Sequence, residues 1–511
     1  MKAFSLSLFS CFFVAISFAQ EPADALRNSY TNNPGGTARN QAIGGAGASL
    51  GGEFTSLFIN PAGIGFFKTG DAVLTPSYSL INGKSDYLGT NASSSANKLN
   101  INTSGVLFAS PSRSKNVRNV TVGIGVNRQA DFNDRIYYKG TNKKSSYSEK
   151  YLEELINNNV RNPDSAALYY PYGSSLAVNT YLVDPTFDNN GKVDGYLTRA
   201  DAAMGLLQEN TINSTGGITD VSLGVGVNVK DKWYFGGTLS VPFLNYTRDA
   251  TYRESDASNN PNNNFNYFES TERLESKGVG IGGKLGIIYK PVEFVRLGVA
   301  VHSPTFFQIT DNYVTMITAD VEDGKGARHQ SSTDLSTTNY EPLHSKYNLS
   351  TPWKFIVSGS YVFREVQDIT RQKGFITADV EYVDYTNPSF GAIENDMDTK
   401  NYYKSLNGVI DNIYKNAINV KLGGEVKFNT WMVRLGGAYY GNPYKFEKAN
   451  LMKVSGGLGY RNKGFFVDLT YVHSIKKDVN YPYLLDDSNL NKAAILKNNN
   501  GNIVMSFGIK I

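Results

Sequence analysis

The sequence is nearly without cysteine, short of charge and poor in histidine. A single cysteine, Cys11, occurs in 511 residues, and it lies in the leader. The body therefore has no disulfide, cysteine zinc site or thiol nucleophile. Charged residues make up 19%, against about 25% in an ordinary soluble domain. The 50 Lys+Arg and 46 Asp+Glu nearly cancel, leaving +4, which disfavours a dedicated nucleic-acid binder. Repeated apolar runs of about 20 residues are missing, which excludes a bundle of membrane-spanning helices. What is plentiful is aromatic or small: 33 Tyr, 28 Phe and 49 Gly. So many aromatics argue against a disordered chain. The length suits two to four soluble domains or one large β-barrel.

Residues 1–19 read as a signal peptide. Met1-Lys2 is the positive end, Ala3 to Phe18 is apolar or small, and Ser17-Phe18-Ala19 predicts cleavage between Ala19 and Gln20. Two other readings stand beside it: an N-terminal anchor, and lipidation at Cys11, whose Leu8-Phe9-Ser10 loosely resembles a lipobox.

Beyond about residue 70 the dominant period is two. Val120, Val122, Ile124 and Val126 alternate with Thr121, Gly123, Gly125 and Asn127. Val221, Leu223, Val225 and Val227 alternate with Ser222, Gly224 and Gly226, and the chain ends on Ile503, Met505, Phe507, Ile509 and Ile511. Such rows are strands with an apolar and a polar or small face. Short turns, such as Lys230-Asp231-Lys232, Asn429-Thr430 and Arg364 to Lys373, alternate with long polar stretches. The long stretches include Ile81 to Lys98, Gly140 to Gly216, Asn387 to Lys415 and Lys476 to Asn500. This asymmetry predicts a transmembrane antiparallel β-barrel of about 14 strands, with short periplasmic turns and long external loops. Residues 70–511 form this barrel, with 140–216 as its large external loop. Charge on a lipid-facing position costs about 2–4 kcal/mol at the midplane. Ile418, Val420 and Leu422 are therefore assigned to lipid, and Lys421, Glu425 and Lys427 to the lumen.

Residues 20–69 have another character. Gly35 to Gly52 is rich in glycine and alanine, and Glu53 to Phe67 is apolar and aromatic. Such a segment can pack inside something but cannot form a core alone, and it reads as a hatch folded into the lumen. The alternative is a disordered leader, which its apolar content opposes.

Ala38-Arg39, then Gly44-Gly45-Ala46-Gly47-Ala48, then Phe58-Ile59-Asn60-Pro61-Ala62-Gly63 entering the first strand resembles the outer-membrane long-chain fatty-acid transporter family of the FadL/TodX type. The resemblance implies a 14-stranded barrel with an N-terminal hatch in the outer membrane of a Gram-negative bacterium. It further implies passive passage of hydrophobic small molecules such as long-chain fatty acids. Gly44, Gly45, Gly47, Phe58, Asn60, Pro61, Ala62 and Gly63 are its hatch motif. The motif also occurs in PorV-type relatives, so a non-transport secretion-system shuttle or scaffold is the alternative function.

In the large loop, Tyr151, Leu152, Leu155 and Ile156 have helical spacing, and Ser146 and Glu149 are placed for a capping box. Leu168, Tyr169, Tyr170, Leu206 and Leu207 are the candidates for an external ligand groove; the alternative is a loop packing on itself. Enzymatic chemistry is not expected. His302, His329, His344 and His473 have no Gly-x-Ser-x-Gly elbow nearby, and neither zinc-hydrolase motif occurs. Asp188 to Gly195 imitates a calcium loop but puts Lys192 at a ligand position. No metal and no cofactor are expected. The expected partners are a hydrophobic ligand, outer-membrane lipid and, through the C-terminal strand, the barrel assembly machinery, with the protein itself a monomer.

Overall fold

The computed structural model describes residues 20, 22–27, 35–258, 260–363, 373–446 and 449–511. The signal-peptide expectation, Cys11 included, and most of the turn expected at Arg364 to Lys373 lie outside the described residues.

The chain forms a closed antiparallel barrel of 14 strands. They are β1 (Asp71–Leu74 and Pro76–Tyr87), β2 (Thr90–Ile101 and Ser104–Pro111), β3 (Val117–Asp131 and Asp134–Asn142), β4 (Leu206–Val229) and β5 (Trp233–Asp256). Then come β6 (Tyr267–Val292), β7 (Val295–His302 and Phe306–Asp320), β8 (Leu343–Ser350 and Lys354–Phe363), β9 (Gly374–Val383 and Ser389–Ala392) and β10 (Ala417–Phe428). The last four are β11 (Trp431–Tyr440), β12 (Asn450–Asn462), β13 (Phe465–Asn480) and β14 (Ala494–Lys510). Each strand pairs with its sequence neighbours, and β14 closes on β1 with Ala72 opposite Ile509. Closure removes the free edges that hydrocarbon does not tolerate. Among the described residues no helix is long and apolar enough to cross a membrane.

The alternation resolves into two faces as expected. Ile418, Val420 and Leu422 are exposed on the outside, with Leu422 at 56%, while Asn419 and Glu425 are buried inside. Lys421 also points inward, to an ion pair with Glu381. At the short-turn end Trp233 stacks on Tyr289 with centroids 4.1 Å apart, and Trp431 tilts against Tyr460 at 5.0 Å. Aromatic pairs at strand ends suit an interfacial girdle. Tight turns carry the left-handed residues they need: Lys230 and Asp231 have φ of 55° and 56°.

β4, β5 and β6 run for 24, 24 and 26 residues. At about 3.3 Å per residue these greatly exceed the roughly 9–11 residues that span a bilayer, so their ends rise above it as a collar. Several stretches read as loops belong to this collar. Ile81 to Lys98 is a hairpin turning on Leu88 (φ 52°) and Gly89 (φ 81°). Its Ser/Asn content misled because a strand above the membrane needs no apolar row. β13 continues to Asn480 and β14 begins at Ala494, leaving only 481–493 as loop. The large loop is likewise 143–205, because β3 runs to Asn142 and β4 starts at Leu206.

Candidate functional site: the filled lumen and its side opening

Residues 35–67 lie inside the lower barrel and bond to strands around its circumference. Thr37 caps the short helix Ala38–Ala42, its side chain accepting from Asn40 N. Ala38 N donates to Ser506 Oγ at 2.8 Å, Thr470 Oγ1 donates to Ala38 O at 2.7 Å, and Ser455 Oγ donates to Ala42 O at 3.0 Å. The amides of Gly47 and Ala48 converge on Asp379 Oδ2, at 3.0 and 3.1 Å. Successive amides cradling a carboxylate make an anion nest. Arg39 reaches Glu425 at 3.2 Å, and Glu425 also holds the fully buried Arg434, at 2.6 Å.

The wall is shaped for this filling. Gly44 sits at φ +70°, and a Cβ on it would lie 2.5 Å from Gly437 O. Opposite, a Cβ on Gly436 would overlap the Ile43–Gly44 peptide, and one on Gly226 would come within 2.6 Å of Ile64. The inward glycines of β4, β10 and β11 thus leave space for the lumenal segment.

Each motif residue has a place here. Asn60 is wholly buried. Its Nδ2 donates to Ala48 O at 2.6 Å, and its Oδ1 accepts from Ala62 N at 3.2 Å, capping the turn Pro61–Phe66. Pro61 opens that turn, where its missing N–H costs nothing. Ala62 packs beside Tyr234 and Ile288. Gly63 lies so close to Ser56 that a Cβ would stand 2.6 Å from its Oγ. Phe58 joins Phe54, Leu57, Ile64 and Phe67 in a cluster completed by Val73 and Leu107 of the wall. Gly45 has φ +77° and an open Cβ position.

Above this segment, about two residues further from the short turns, lies a chamber of about 150 Å³. Lys284, Lys354, Lys421 and Lys453 face it together with Asp220 and Glu381. Higher still the lumen is aromatic: Phe132, Tyr246, Phe307, Tyr347, Phe390 and Tyr403 belong to one buried cluster. A helix at Met397–Ile413 seals it, contributing Tyr403, Leu406 and Ile410. Its Asp396 cap and the i, i+3, i+7 spacing of those residues were present in the sequence.

Among the described residues the wall is unzipped between β2 and β3; the short upper segment of β9, Ser389–Ala392, also pairs on one side only, with β8. The β2–β3 ladder runs from Pro111/Asn119 to Ser104/Val126 and stops. Among the described residues the upper segment of β2 pairs only with β1, and β3 breaks at Phe132-Asn133. Among the described residues no backbone ladder crosses the opening; Asn100 Nδ2 donates to Asp131 Oδ2 at 3.0 Å, and Ser94 Oγ to the Arg135 backbone carbonyl at 2.5 Å. Leu99, on the open edge, stands opposite Tyr78, which faces Ile503, and all three are exposed on the outside. The opening therefore reaches the lipid-facing belt. Behind it is a cavity of about 250 Å³ that touches Ile81, Phe132 and Tyr246 and, among charged residues, Arg27, Asp131, Asp134, Lys476 and Asp478; Arg27 lies over the Tyr246 ring at 3.8 Å.

The large external loop packs on itself and on the collar. Tyr147, Tyr151, Leu155, Leu176 and Leu182 share a core with Tyr252, Phe268 and Tyr483. Of the groove candidates, Leu206 is sealed in that core, Tyr170 packs partly against it, and Leu207 is half-buried on β4. Leu168 and Tyr169 point to solvent. The structure does not bring these five to one open groove. The Ser146/Glu149 capping box is half formed: Glu149 accepts from Ser146 N at 3.2 Å, but the Ser146 hydroxyl donates to Glu254. Glu254 also accepts from Tyr147 N, Gln208 Nε2 and Tyr252 Oη, at 3.2, 2.8 and 2.8 Å. Burial raises the Glu254 carboxyl above the usual carboxylate range despite these donors. Asp188 turns its carboxylate to the amides of Asn190 and Lys192, at 2.8 and 2.9 Å.

No protein-family model matches the sequence, and no curated protein matches it. Solved structures share the fold. A FadL homologue from Pseudomonas aeruginosa superposes with a TM-score of 0.54 at 13% identity, over 94% of this chain and 99% of that one. The deltaS2 mutant of the TodX monoaromatic hydrocarbon channel does so with a TM-score of 0.51 at 12% identity, over 93% and 98%.

Proposed function

We propose that this protein lets hydrophobic small molecules, long-chain fatty acids among them, cross the outer membrane of a Gram-negative bacterium without energy input. The observation that carries the proposal is the unpaired upper edge of β2, which opens an aromatic lumen toward lipid while residues 35–67 fill the way straight down. Water-filled pores need no such arrangement. An apolar molecule gains about 25 cal/mol per Å² of surface removed from water, so the aromatic cluster concentrates it. The gap between β2 and β3 then offers an exit into a medium as apolar as the cargo. One of the two neighbours is a monoaromatic hydrocarbon channel, which agrees with this chemistry. Mass spectrometry of gently solubilised protein tests the reading. A bound apolar molecule is expected; an empty lumen with a stable protein partner would instead favour a scaffold.

A further inference from the structure

The chamber above the lumenal segment is built from charge. Asp220 holds Lys284 at 2.7 Å, and Glu381 holds Lys421 at 3.3 Å. Each acid thus bonds one lysine directly; Lys354 shares the field of Glu381 without pairing with it, and Lys453 faces no acid, so two acids stand against four ammonium groups. Lys453 is only 7% exposed and lines the chamber. Its Nζ lies 5.3 Å from the Tyr440 ring centroid. Among the described residues neither Lys354 nor Lys453 has a hydrogen-bond acceptor or an ion-pair partner. A buried ammonium without an anion is costly, whereas one facing an oxyanion makes a strong, charge-assisted hydrogen bond. Other donors face the same space, from the side chains of Asn40, Gln41 and Asn127. At about 150 Å³ the chamber is smaller than the roughly 300–1,000 Å³ pockets that enclose a drug-sized ligand. It admits a small anion or a head group, not an apolar molecule entire.

We propose that this chamber is an oxyanion site, in which a phosphate or carboxylate group lies between the ammonium groups of Lys354 and Lys453. The occupant is either a free anion of phosphate size or the acid head of an amphiphile whose tail stays in the aromatic lumen above. In both cases it touches the wall and the lumenal segment at once, and so ties the two together.

Calorimetric titration of the full-length folded protein in detergent, in anion-poor buffer, tests the site with inorganic phosphate and with decanoate. The variants are Lys354→Met with Lys453→Met, Lys453→Arg, and Lys346→Met as an exposed control. Folding of each is checked by heat-modifiable gel mobility. Saturable phosphate binding that weakens about tenfold or more in the double variant, and survives in Lys453→Arg and Lys346→Met, supports the free anion. Decanoate binding with the same lysine dependence, and none of phosphate, supports the head group. No binding of either, or binding unaffected by the double substitution, overturns the proposal. The free-anion form does not need transport. A double variant that still passes a neutral apolar probe separates failure here from failure of the proposed function.

Discussion

Asn60 joins the two halves of the lumenal segment, and replacing it should loosen that segment while sparing the barrel. Asn60→Ala removes the cap on Ala62 N, worth about 1 kcal/mol. It also orphans the buried Ala48 carbonyl, which now accepts at 2.6 Å, at about 1–3 kcal/mol. A total near 3 kcal/mol raises the open population of the segment roughly a hundredfold, each 1.4 kcal/mol being tenfold. Asn60→Asp should be worse at neutral pH. It keeps the cap but aims a carboxylate oxygen at the Ala48 carbonyl, with the Ile287 and Val299 carbonyls 3.4 Å from the same atom. Acidification should relieve it, because a protonated acid donates as the amide did. Hydrogen exchange of the amides in 35–67, with the β4–β5 ladder as internal reference, reads the effect. Equal exchange of that segment in the native protein, Asn60→Ala and Asn60→Asp would refute the reasoning.

Gly436→Val should displace the segment without preventing barrel closure, because its side chain would enter the Ile43–Gly44 peptide; single-channel conductance should rise, and unchanged conductance would contradict the fit. Leu422→Arg should cut the yield of assembled barrel, at about 2–4 kcal/mol for a charge on the lipid face, whereas Leu422→Phe should not; equal yields by heat-modifiable mobility would mean the face assignment is wrong. Burial raises the Glu254 carboxyl, so the folded loop favours its protonated form. That contribution is complete below the ordinary carboxylate pKa and is lost as pH rises through the elevated folded value. Protease resistance of loop 143–205 should therefore fall as pH rises out of the carboxylate range, and Glu254→Gln should flatten the dependence. A native pH profile as flat as the variant's would count against it.

The wall was legible because a barrel strand obeys one rule, apolar out and small or polar in, and rows such as Val221 to Val229 follow it without interruption. The motif around Asn60 was legible through a resemblance alone; that Asn60 caps the turn at Ala62 N and bonds the Ala48 carbonyl is seen only in the structure. The collar was not: the hairpin Ile81 to Lys98 and the ends of β13 and β14 stand above the lipid, where the period-two signal disappears. The lumenal charges were visible only as inward positions. That Asp379 receives Gly47 and Ala48, or that Lys453 is left without an acid, depends on which strands face each other across the lumen, and no local pattern carries that. The opening beside β2 was hidden for a similar reason, because the missing partner is set by where β3 breaks and not by the residues of β2.

Under the proposed function, apolar cargo leaves through the gap between β2 and β3. Asn100→Cys with Asp131→Cys would place two thiols where a side-chain hydrogen bond of 3.0 Å now bridges that gap. Uptake of a fluorescent long-chain fatty acid and of a neutral aromatic probe into vesicles carrying the barrel should fall when the cross-link is oxidised and recover on reduction. Uptake that is equal in the oxidised, reduced and native proteins, with the cross-link verified, would contradict the account.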